Sequence, residues 1–72
     1  MKDERQTLYR LTWSHESGTH WLAMKRVHPA MSELAIPLAE ADDPGAHFVV
    51  ADKPPAITPA LESKARHVAN AF

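Results

Sequence analysis

The chain contains no cysteine, which excludes a disulfide framework and every thiolate metal site and fits a reducing compartment. Its only glycines are Gly18 and Gly45, too few for the glycine-rich loops that cradle phosphates. No run approaches the roughly 20 apolar residues that a bilayer-spanning helix requires. The opening MKDERQTLYR is charged and lacks the apolar stretch of a secretory signal, so the sequence reads as cytoplasmic, with no membrane contact. A basic excess is missing too: eight Lys and Arg stand against nine Asp and Glu. Only Lys25 and Arg26 are adjacent bases, the rest being spread among acids, so direct nucleic-acid binding is not expected.

What is present is a single small domain. A chain of 72 residues buries only about 60% of the surface its unfolded form exposes. Folds of this size commonly lean on a disulfide, a structural metal or a partner, and the first of these is excluded here.

Two strand-length segments, TLYRLTW (7–13) and HWLAMKRV (20–27), are rich in aromatic and branched residues and flank the turn-forming SHESGT. They predict a hairpin. Pairing Trp13 with His20 aligns Leu11 with Leu22, Tyr9 with Met24 and Thr7 with Arg26 on one face, which assigns Trp13, Leu11 and Tyr9 to the core. The other face then carries Thr12 with Trp21, Arg10 with Ala23 and Leu8 with Lys25. Tryptophan beside arginine is the composition of interface hot spots, so Leu8, Arg10, Trp21 and Lys25 are the expected partner-binding residues. Burial of Trp21 in the core is the competing reading.

His28-Pro29 ends the second strand, because proline has no amide proton and restrains its predecessor. Residues 30–41 read either as an edge strand, with Leu34, Ile36 and Leu38 alternating around Pro37, or as short helix. The strand is favoured, giving a second hairpin over 34–51 through the turn Asp42-Asp43-Pro44-Gly45 into AHFVVAD. Lys53-Pro54-Pro55 is a stiff connector. Beyond it, Thr58 as N-cap, Pro59 in the first helical position and an apolar stripe of Leu61, Ala65, Val68 and Phe72 predict one amphipathic helix. The expected fold is therefore α+β: an antiparallel domain over 1–52 made of two hairpins, a Pro-rich connector over 53–57, and a C-terminal helix over 58–72 that docks loosely or orders on contact.

HESGTH resembles the zinc-protease motif, but His15 and His20 lie five apart, whereas one helical face needs four at about 100° per residue. His15, Glu16 and His20 form a candidate weak ion site; surface histidines on a loop and a strand end are the simpler reading. There is no nucleophile elbow, and no cleft is expected in so short a chain. No catalytic residue, cofactor or small-molecule substrate is expected, which leaves binding of another macromolecule.

A chain of this length that opens MKDERQTLYRLTW and closes on a helix after a KPP connector resembles the small host-takeover proteins of bacteriophages, and more narrowly the transcription regulators of Xanthomonas phages that bind host RNA polymerase. The resemblance lies in size and layout and carries over no site residue. It implies a non-enzymatic protein that docks on the largest polymerase subunit near its N-terminal region, hinders promoter use by disfavouring sigma-factor engagement, and promotes readthrough of terminators. The alternatives from other classes are a phage inhibitor of a host defence nuclease, of the anti-CRISPR type, and a small histidine-based metal-binding domain.

Overall fold

The computed structural model describes residues 5–70. Strand β1 (Gln6–Ser14) turns into β2 (Gly18–Val27). A single 3₁₀ turn (Pro29–Met31) then leads directly into α1 (Ser32–Asp42). A short strand, β3 (Phe48–Ala51), and a helix, α2 (Pro59–Asn70), complete the order. The sheet is antiparallel with strand order β2-β1-β3, and no helix among the described residues is long and apolar enough to cross a membrane. The α+β class expected from sequence is the one found.

The first hairpin forms where expected, with a tighter loop. Ser14 pairs with Gly18, so the loop is His15-Glu16-Ser17, and Gly18 closes it at φ +68. Three-residue hairpin loops need a left-handed residue at that point, which glycine supplies without a Cβ clash. Shortening the loop moves the register by one: Trp13 faces Thr19, Leu11 faces Trp21 and Tyr9 faces Ala23. A β-bulge then absorbs the difference. Met24 is the extra residue, and from Leu8↔Lys25 to Thr7↔Arg26 the pairing is that expected from sequence.

The second hairpin over 34–51 does not form. Leu34 to Asp42 lie in α1, and β3 pairs with β1, as Thr7↔Ala51 to Arg10↔Phe48. The 3₁₀ turn that leads into α1 is capped at His28-Pro29: His28 Nδ1 accepts from the Ala30 amide at 3.1 Å, Pro29 takes the turn's first position, and Ser32 Oγ donates to the Pro29 carbonyl at 2.9 Å, while α1 itself starts after Met31 with no side-chain cap. Leu and Ala are strong helix formers. Pro37 lies inside α1 on its exposed side, where its missing amide leaves the Glu33 carbonyl without the usual helical donor. The turn at Asp42 to Gly45 is present, with Gly45 at φ +91.

Both faces of β1 are covered, as befits a central strand. On one, Leu8, Val27 and Phe48 join Ala35 and Ala46 in the core, with Ile36, Ala39 and Val50 against them. On the other lie Tyr9 and Leu11, both buried, with Trp13 half-buried. β3 reaches only to Arg10 in the pairing, and α2 lies against the remaining Leu11–Trp13 stretch through Ala65, Val68 and Ala69. The Leu61 amide bonds to Thr58 Oγ1 at 3.3 Å, so the expected cap is in place. Leu61, Ala65 and Val68 face inward, and Phe72 of the expected stripe lies outside the described residues.

Candidate protein-binding surface

The four residues expected to meet a partner divide between the two faces of the sheet. Leu8, Arg10 and Lys25 line one depression of about 210 Å³, together with Met24, Phe48 and Asp42. Leu8 is its floor, only 2% exposed, so it shapes the depression from within the core. Arg10 is tied down: its Nη2 donates to Asp43 Oδ2 at 2.6 Å, clamping β1 to the end of α1. That half-exposed ion pair contributes at most about 1 kcal/mol, and its larger effect is to fix where the helix ends. Lys25 is exposed.

Trp21 belongs to the opposite face, a correction that follows from the one-residue register shift. It pairs with Leu11, and antiparallel partners share a side. Its ring meets Tyr9 edge-on at 6.4 Å and lies 6.0 Å from His47. Its Nε1–H donates to the Pro55 carbonyl at 2.8 Å. Trp21 therefore fastens the proline connector to the sheet and so positions α2. Nearby, the Lys64 ammonium donates to His47 Nδ1 at 3.3 Å, and Arg66 sits 6.0 Å from the centre of the Trp13 ring. Burial first, then Lys64, hold His47 below the ordinary imidazole value, against an opposing pull from Glu40.

Met24, two residues beyond Leu22, lies on the α1 side by strand alternation, and the bulge sets Lys25 beside it, opposite Leu8. There it joins a set of exposed apolar side chains: Leu22 and Met24 on β2, Met31 ahead of α1, and Leu34 and Leu38 on it. A second depression between Lys25, Val27, Met31, Ala35 and Leu38 continues the first. The geometry explains the exposure. α1 packs over β3 and β1, and a helix about 10 Å across covers only about two strands spaced about 4.8 Å. The half of this face formed by β2 is left as an apolar trough with α1 as its wall. Sequence reasoning misses Leu22, Met24, Leu34 and Leu38, because its register sets the first two on the face of Trp13, Leu11 and Tyr9 and it reads the others as strand.

The histidines do not converge. His15 stacks edge-on against Trp13 at 4.7 Å, His20 Nδ1 contacts the Gly18 carbonyl at 3.1 Å, and His28 caps the turn before α1. Among the described residues no three His, Cys, Asp or Glu side chains are grouped to hold a metal ion. No family model, curated protein or solved structure matches the chain.

Proposed function

We propose that this chain is a small non-enzymatic regulator that acts by binding another protein in the bacterial cytoplasm, with the largest subunit of a host RNA polymerase as that partner. The observation that carries the protein-binding part is the exposed apolar trough lined by Met24, Met31 and Leu38, with Leu22, opposite Arg10, and Leu34, one turn from Leu38, exposed beside it and Lys25 and Asp42 on its rim. Contiguous apolar surface with a polar rim is the mark of an interaction site, and methionine adapts to the shape of what it meets. The polymerase part comes from the resemblance in size and layout to phage takeover proteins, and a near-neutral chain suits contact with protein rather than with DNA. In this reading occupancy of the polymerase inhibits initiation and promotes antitermination.

The test is an affinity capture from bacterial lysate with the tagged chain, alongside a Leu22→Glu variant. Leu22 is exposed, so the variant keeps its fold while placing a charge beside the trough. Near-stoichiometric polymerase on the native bait and at least about tenfold less on the variant is the expected result. No polymerase on the native chain removes the polymerase reading. Equal recovery on both baits removes the trough as the contact.

A further inference from the structure

α1 is apolar on two sides. Ala35, Ile36 and Ala39 turn into the core, whereas Leu34 and Leu38, one turn apart, remain 53% and 57% exposed. A helix that is apolar on nearly every side belongs between two layers, and this one has a layer beneath it only. Its charged side chains, Glu33, Glu40 and Asp42, are all acidic. The uncovered strand supplies the reverse: β2 exposes Leu22 and Met24, and Lys25, on the same side, is basic, while the Arg26 guanidinium is held by Thr7 Oγ1 and the Arg5 carbonyl. Each copy thus carries an apolar helix with acidic flanks that lacks a second floor, and an apolar floor with a basic rim that lacks a helix.

We infer that a second copy of this chain fills the trough, in a two-fold arrangement that sets α1 of each copy over β2 of the other. The closure is symmetric, because the same two surfaces meet twice and neither is left over. Acid meets base at both contacts, which fixes the orientation and disfavours a helix of the wrong charge. Edge-to-edge pairing of β2 is not the contact: the bulge at Met24 and the adjacent Lys25 and Arg26 blunt that edge. The inference rests on the reading above only in taking this face as the binding surface. It sets self-association and a polymerase in competition for the same trough.

Sedimentation velocity on the purified chain, from about 1 μM to about 1 mM, tests it. The expected result is a two-copy species that grows with concentration and recedes at high salt, where the flanking charges are screened. Leu38→Glu, at an exposed position that leaves the fold intact by circular dichroism, raises the dissociation constant at least about tenfold. Lys25→Glu sets acid against acid and weakens the dimer in the same direction. A single-copy species at every concentration, or a dimer indifferent to both substitutions, overturns the inference. No polymerase is present in this measurement, so its failure leaves the polymerase reading standing, and a failed capture from lysate leaves the dimer standing.

Discussion

His47 is the residue whose protonation the fold opposes. Unfolded, its imidazole titrates near 6.5; folded, burial and then the Lys64 ammonium hold it lower, with Glu40 pulling the other way. Above both values the ring is neutral in both states and its contribution is complete. As pH falls below about 6.5 the unfolded chain takes up a proton that the folded chain refuses, so stability declines until the folded value is passed. The urea midpoint is therefore expected to hold steady from pH 8 to 7 and fall between pH 7 and 5. His47→Gln keeps an acceptor for Lys64 and removes the proton, so it should flatten that fall; an undiminished slope in the variant rules His47 out as its source. Trp21 shows the opposite lesson at this scale. Its ring was equally legible as core or as an exposed anchor, and the deciding partner, the Pro55 carbonyl, lies far along the chain, where no local pattern points to it.

At the scale of elements, α1 is the informative case. Pro37 sits in its interior, where proline is about 3 kcal/mol less favourable than alanine. Pro37→Ala restores the amide donor to the Glu33 carbonyl and is expected to stabilise the fold by about 1–3 kcal/mol. Denaturant unfolding measures it, and a destabilised variant means that the proline ring has a packing role. The same proline made the segment read as an edge strand. The alternation of Leu34, Ile36 and Leu38 fits a strand, α1 has no side-chain cap of its own to mark its start, and the turn that leads into it begins earlier, at His28-Pro29, capped by a histidine in place of the usual hydroxyl or carboxamide. α2 was legible because Thr58-Pro59 is a common cap and its stripe is one-sided. The hairpin was legible in its partners and not in its register. A three-residue loop and a bulge each shift pairing by one, and their effects cancel only beyond Leu8. That shift is why three of the four expected contact residues meet in one depression and Trp21 does not.

For the whole molecule, the balance of covered and uncovered surface decides behaviour. One sheet face is shared between a helix and an open trough, and the sheet's other side is held by α2 and the Trp21–Pro55 bond. If a second copy completes the trough, folding and association are one equilibrium, and the thermal midpoint rises by a few degrees with each tenfold increase in protein concentration. Calorimetry over two decades of concentration checks this, and an invariant midpoint contradicts it. The size of the chain was the sequence's best guide at this scale: a core this small leaves apolar groups for something else to cover.

The central position of β1 also sets an order of events in time. Synthesis runs from the N-terminal end, so β1 and β2 emerge before β3, yet β1 needs β3 along Thr7–Arg10. A hairpin closes in about 1–10 μs, whereas the residues from His28 to Ala51 take on the order of 1–5 s to add at about 5–20 per second. Two strands alone are marginal in water. For that interval between the emergence of β2 and that of β3, the nascent chain presents Leu8 and Leu11 on a sheet with one side unzipped, and the exposure ends only when β3 has emerged and paired.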